Sequence, residues 1–239
     1  MNLILDVLFP KKCVGCGKFD SYFCSDCVSN IRQGELICPV CDIPSVFGET
    51  HPFCKRVFGL DGLWSLGLYQ GSLKKAIQKL KYKPALVRDF VPVLVNIIVE
   101  YWTKYQPVIF DEICFDQIKK DKGQGWVVVP VPLFWWREND RGFNQSKLIG
   151  QLLSKKLGLD YCEGLKRIRY TRSQARLKEK DRRKNIRGAF EISSNYTLYP
   201  KPYTLLIDDV WTTGSTLKEC CYVLKRAGAQ KVWALTLAR

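Results

Sequence analysis

Seven of the eleven cysteines fall between positions 13 and 54, and their spacing constrains the amino-terminal quarter of the chain more than anything else in it. They form Cys13-x2-Cys16, Cys24-x2-Cys27 and Cys38-x2-Cys41, followed by His51-x2-Cys54, which holds the single histidine. A two-residue gap lets one tight turn aim both side chains at one ion while backbone N–H groups support the sulfurs. Gly15 and Gly17 sit where such a knuckle needs relaxed torsions. The four pairs supply enough ligands for two tetrahedral Zn²⁺ sites: Cys13, Cys16, Cys24, Cys27, Cys38, Cys41, His51 and Cys54. A disulfide framework would use the same cysteines, but residues 2–9 contain Asp6 and lack a basic start, so they do not read as an export signal. Pairing in sequence order would give two stacked ribbons, whereas an interleaved cross-brace would join the first pair to the third. The intervening seven and nine residues suit two short hairpins without deciding between these arrangements. Either way the sites are closed, so their role is folding and not catalysis. The scattered Cys114, Cys162, Cys220 and Cys221 read as small buried apolar residues.

Past residue 60 the texture changes to alternating strand and helix patterns. Residues 64–69 read as a strand, and residues 73–82 and 86–105 as helices by their apolar spacing. The polar stretch 106–125 reads as an insertion. Residues 126–133 (WVVVPVPL) form a β-branched run suited to a strand buried on both faces. A helix over 143–157, a strand over 203–207, a helix over 215–227 and a strand over 231–238 complete the order. Such alternation implies an α/β fold with a doubly wound, mostly parallel sheet, whose sites lie at the carboxyl ends of its strands. We therefore divide the chain into a small zinc module, 1–60, and an α/β domain, 61–239.

One stretch of that domain carries recognisable chemistry. Residues 204–217 (TLLIDDVWTTGSTL) run from a buried strand into paired acids, Asp208 and Asp209, and then a hydroxyl-rich loop opening a helix. Thr212, Thr213, Gly214, Ser215 and Thr216 offer hydroxyls and backbone N–H groups around a helix N-terminus, a phosphate-sized anion site. Acids just before a phosphate cradle oppose binding unless they face something else. The vicinal hydroxyls of a ribose, one sugar away from its 5′-phosphate, suit them as donors. A plain strand end with a capping threonine would not require the acids, the glycine and the hydroxyls together.

This stretch resembles the PRPP-binding motif of type I phosphoribosyltransferases. Residues 129–133 (VPVPL), Arg141-Gly-Phe-Asn-Gln145, Arg172-x-Gln174-x-x-Leu177, Asn185-x-x-x-Ala-Phe190, Leu80-Lys-Tyr82 and the double zinc ribbon resemble the ComF competence-factor family over nearly the whole chain. His51 departs from the cysteine often found there, and histidine is an adequate ligand. The resemblance implies a sheet of the type I phosphoribosyltransferase kind. It also implies that Asp208 and Asp209 meet ribose hydroxyls and that Thr212 to Thr216 hold the 5′-phosphate. Arg137 and Arg141 are placed like the pyrophosphate loop, where Mg²⁺ accompanies PRPP. Arg172, Arg176, Arg182 and Arg183 fall in the segment of the flexible loop that closes over the site. No single residue stands out as catalytic.

Two function classes remain open. One is a factor of natural transformation that handles incoming single-stranded DNA and binds PRPP or a related phosphoribosyl ligand. The other is an active phosphoribosyltransferase that displaces pyrophosphate at the anomeric carbon in favour of a nucleobase or other acceptor. Charge bears on the first: of the net +15, the run 166–187 holds eleven basic residues and two acids, while residues 1–60 sum to zero. A segment so basic, with Tyr170 in it, can track phosphates. Trp135, Trp136 and Trp211 flank the site motifs, where core packing or rim contact is the ordinary role and base stacking the special one. Bearing on the second class, no segment reads as a nucleobase-recognising element, and a hood over the site would have to come from the amino-terminal half, since the chain ends just after its last expected strand. The zinc module lacks a long basic recognition helix and suits docking of other DNA-uptake proteins. No stretch is apolar enough to span a membrane, so we expect a cytoplasmic protein, with any link to the inner membrane made through partners.

Overall fold

The computed structural model describes residues 11–105, 125–171, 179–194, 196 and 203–239. Its strands are β1 (Gly62–Gly67), β2 (Trp126–Pro130), β3 (Asp160–Tyr161), β4 (Leu165–Arg167), β5 (Phe190–Ile192), β6 (Tyr203–Val210) and β7 (Lys231–Ala238). Five of these form one sheet in the order β1-β7-β6-β2-β3, parallel at every pairing, and β4 pairs antiparallel with β5 outside it. The helices are α1 (Ser25–Ser29), α2 (Gly71–Tyr82), α3 (Pro84–Tyr105), α4 (Trp135–Arg141), α5 (Gln145–Leu157), α6 (Glu179–Ile186) and α7 (Ser215–Arg226). The fold is therefore the expected doubly wound, mostly parallel α/β sheet of the type I phosphoribosyltransferase kind, with a cysteine-rich ribbon region before it.

Strand alternation sorts the core into two layers. Val128, Leu205, Ile207 and Leu235 face α2, α3 and α5, meeting Ile77, Leu80, Phe90, Leu94, Ile149 and Leu153. Their sequence neighbours Val127, Val129, Leu206 and Ala234 face the other side, meeting Ile186, Phe190, Leu217, Cys220 and Leu224. Cys220 and Cys221 are buried as expected, Cys162 is half-buried, and Cys114 lies outside the described residues. The ribbon region joins both layers. Phe23 packs edge-on against Phe90 with centroids 5.9 Å apart, and Ser72 donates to the Cys27 carbonyl at 2.8 Å. On the opposite side Ile37 and Leu60 enter the α7 layer.

Beyond shifts of a few residues, as in β1 (Gly62–Gly67 against 64–69) and β6 (Tyr203–Val210 against 203–207), three features differ from the sequence reading. The run 126–133 leaves the sheet after Pro130, once the Val131 amide has bonded Ile207. The helix expected over 143–157 is α5, which starts two residues later, and an unexpected helix, α4, precedes it: Gly142, at φ +77°, ends α4 in the left-handed region, and Asn144 caps α5 by accepting from the Ser146 and Lys147 amides. Asn144 also donates to the Val131 carbonyl at 3.0 Å, pinning this turn to the end of β2. Third, the basic run is not a loop throughout, because residues 179–186 form α6. Among the described residues no helix is long and apolar enough to cross a membrane.

Candidate functional site: two metal clusters and an anion cradle

The cysteine pairs close in sequence order. Cys13, Cys16, Cys24 and Cys27 form one cluster and Cys38, Cys41, His51 and Cys54 the other, with the ligand atoms of each within 4.8 Å of one another. Cys24 Sγ lies 3.7 Å from the sulfurs of both Cys13 and Cys16. A tetrahedron with Zn–S bonds of about 2.3 Å has edges of about 3.8 Å, so these sulfurs already stand at zinc spacing. In the second cluster His51 Nδ1 is 3.4 Å from Cys41 Sγ, while its Nε2 is 3.1 Å from the Pro44 carbonyl. A carbonyl only accepts, so the proton sits on Nε2 and the Nδ1 lone pair faces the cysteines. Burial of Cys13 opposes ionisation, yet the backbone amides of Cys16, Cys24 and Gly15 draw its thiol down to about 6, as a metal knuckle requires. Both donor sets fit Zn²⁺.

The sheet supplies the second site. Strand order reverses at β2: β3 lies on one side of it and β6, then β7, on the other. A crevice opens at such a switch point, outside the carboxyl ends of β2 and β6. Asp208 and Asp209 occupy the end of β6. Asp209 pairs with Lys81 Nζ at 2.8 Å, delivered by the last turn of α2, and the Ser146 hydroxyl at the start of α5 donates to Asp208 at 3.3 Å. Burial first, and the Asp209 charge second, push the Asp208 carboxyl up to about 7. The turn beyond is held open by Gly214 at φ +66°, where a side chain would be strained and its Cβ would strike the Trp211 ring beneath. Trp211 is buried and thus packs the floor of the turn. Thr213 and Ser215 share a hydroxyl hydrogen bond of 2.8 Å, and the N-cap of α7 is Gly214, which has no side chain to cap it. The result is a cradle of amides and hydroxyls beside two acids.

Arg137 and Arg141 lie on α4, which follows β2 at the same end of the sheet. Arg137 donates to the Thr171 carbonyl at 2.7 Å, and Arg141 to Gln145 Oε1 at 3.5 Å. Arg172 and Arg176 lie outside the described residues, while Arg182 and Arg183 are placed on α6. Sequence reasoning assigned no role to Lys81, Ser146 or Arg167. Arg167 sits at the end of β4, its guanidinium drawn down to about 10 by burial and then by the Arg137 charge, with Asp208 opposing. The second ribbon also reaches this region: Arg56, Phe58 and Leu60 face Ser215, Lys218 and Tyr222 across a groove of about 870 Å³.

Comparison with known proteins agrees with both halves. Residues 4–58 match the double zinc ribbon domain family. The chain is 38% identical to "Competence protein F" of Haemophilus influenzae over 113 residues, which is 47% of this chain and 49% of that protein. It is 29% identical to "DNA utilization protein YhgH" of Salmonella typhi over 219 residues, covering 89% of this chain and 88% of that one. With "Competence protein ComFC" of Streptococcus pneumoniae it shares 28% over 224 residues, 92% and 89% of the two chains. A double zinc ribbon ahead of a parallel phosphoribosyltransferase-type sheet, aligned almost end to end with such relatives, supports the assignment to the ComF competence-factor family.

Proposed function

We propose that this protein serves natural transformation by handling incoming single-stranded DNA in the cytoplasm, and that it binds PRPP, with Mg²⁺, at the carboxyl ends of β2 and β6. The observation that carries the ligand assignment is the pair Asp208 and Asp209 standing directly before the open cradle of Thr212 to Thr216, at the switch point of the sheet. The acids accept from the ribose hydroxyls, the cradle takes the 5′-phosphate, and Arg137 and Arg141 serve the pyrophosphate, whose charge Mg²⁺ screens. The names of the relatives, competence protein and DNA utilization protein, support the biological role. The excess of basic residues in 166–187 supports the nucleic-acid contact. On the second ribbon Phe53 is 94% and Val57 81% exposed, an apolar surface suited to partner proteins of the uptake machinery.

The alternative, turnover of PRPP with an unidentified acceptor, draws support from the arginines of α4 beside the cradle, which could hold a departing pyrophosphate. Calorimetry with MgPRPP tests the site: Asp208→Asn with Asp209→Asn should cost at least tenfold in affinity while the zinc content stays at two, and unchanged affinity would remove the acids from it. Pyrophosphate release from PRPP, with candidate nucleobases and with or without single-stranded DNA, separates the readings: release favours the enzyme, and tight binding without release favours the handling factor.

A further inference from the structure

Two segments distant in sequence bring aromatic rings together at the edge of the site. Trp135 and Trp136 open α4, and they are 62% and 51% exposed; Tyr170, beyond β4, is 52% exposed. The Tyr170 ring meets Phe134 at 5.7 Å and Trp136 at 6.3 Å, both edge-on, and Phe134 lies 5.7 Å from Trp135. The Arg137 guanidinium lies 5.5 Å from the centre of the Tyr170 ring, held there by its bond to the Thr171 carbonyl. Single exposed aromatic residues are ordinary, but a joined set of this size on a surface marks a contact site. Trp211, by contrast, is only 4% exposed, so of the three tryptophans flanking the motifs only this one packs in the core.

The surroundings favour a nucleic acid over a protein partner. Residues 165–171 carry Lys166, Arg167 and Arg169 with no acid, while on α4 Arg137 and Arg141 are balanced by Glu138 and Asp140. Residues 166–171 are the first part of the basic run 166–187. Trp135, Trp136 and Tyr170 are each at least half exposed, and exposed aromatic surface beside arginines is what unpaired bases stack upon, whatever their sequence. We propose that Trp135, Trp136 and Tyr170 form a stacking platform for the bases of single-stranded DNA, with Arg137 fixing the tyrosine. This rests on the reading that the protein handles single-stranded DNA, and adds where the bases go.

The test uses the full chain loaded with zinc and fluorescein-labelled oligothymidylate, read by anisotropy across a salt series, with an abasic strand of equal length and charge as comparator. Trp135→Ala with Trp136→Ala should weaken oligothymidylate binding roughly ten- to hundredfold. The salt slope should not change, because the substitutions remove no charge. The abasic strand should bind wild type about as weakly as the thymidine strand binds the variant. Trp135→Phe with Trp136→Phe should restore most of the affinity, and circular dichroism with zinc analysis checks folding. Equal binding of both strands by wild type, or an alanine variant of unchanged affinity, overturns the platform and assigns the patch to protein docking. Absence of any DNA binding by wild type at low salt overturns the platform together with the DNA-handling reading.

Discussion

Replacing Lys81 by methionine keeps most of the side-chain stem and removes the positive charge that is paired with Asp209. The lysine nitrogen lies 2.8 Å from the carboxylate, with the two side chains 22% and 17% exposed. Asp208, adjacent, holds its proton to about pH 7, because burial and then the Asp209 charge raise it while Lys81 pulls it down. A carboxyl with an ordinary value of 3.8 and a folded value of about 7 withdraws stability as pH rises from about 4 through 7. Loss of the lysine deepens that withdrawal, so the variant suffers most where both acids would be ionised. Unit charges 2.8 Å apart attract by about 6 kcal/mol at an effective dielectric of 20. Recovered solvation offsets part of this, and breaking a buried pair costs about 3–5 kcal/mol net. Both partners keep some water contact, which puts the cost near 3 kcal/mol at pH 8, or roughly 6–12 °C in Tm for a chain of this size. At pH 5, with Asp208 protonated in both proteins, the broken pair with Asp209 still costs the variant, but the added repulsion between two ionised acids is relieved, so the loss is smaller than at pH 8. Urea denaturation of zinc-loaded wild type and K81M at pH 5, 6.5 and 8 reads the difference. No loss at pH 8, or a loss larger at pH 5 than at pH 8, would refute the electrostatic role of the lysine.

Metal analysis should find two zinc ions per chain; His51→Ala should leave one, and His51→Cys should restore two, since a thiolate can replace the Nδ1 that faces Cys41. Affinity for MgPRPP should rise about tenfold from pH 6 to pH 8 as Asp208 ionises, then level off, and Asp208→Asn should flatten this profile in calorimetry. Neutralising Arg172, Arg176, Arg182 and Arg183 to glutamine should weaken oligonucleotide binding uniformly across sequences. Its salt slope should fall by about 0.7 for each phosphate that the protein no longer neutralises, and an unchanged slope would take these arginines off the DNA.

Much of this was legible because some residues can do only one job. A histidine and seven cysteines at ligand spacing determine two clusters, but not their pairing, because both pairings satisfy the same intervals; only the folded chain shows Cys27 in the first cluster and Cys38 in the second. The continuous β-branched run of β2 and the acid pair of β6 likewise announced buried strands and a site at their ends. Elements without a period were missed: β3 is two residues long, β4 and β5 three each, and α6 is almost wholly charged. Lys81 and Ser146 were invisible as site residues because their roles depend on where α2 and α5 dock. A lysine in the last turn of a helix looks like any solvated charge until Asp209 arrives from more than a hundred residues away. Arg141-Gly-Phe-Asn-Gln145 shows the reverse. It reads as a functional signature, and Gly142 and Asn144 within it are a helix stop and a helix cap that aim α4 and α5 at the switch point.

The central claim is that a phosphoribosyl ligand lies across the ends of β2 and β6. A crystal structure of the zinc-loaded protein soaked with PRPP and Mg²⁺ tests it most directly. The account predicts the 5′-phosphate against the amides and hydroxyls of Thr212 to Thr216, the ribose hydroxyls on Asp208 and Asp209, and the pyrophosphate toward Arg137 and Arg141. Ligand density elsewhere on the molecule, or an empty cradle in crystals of a protein that binds PRPP in solution, would contradict it.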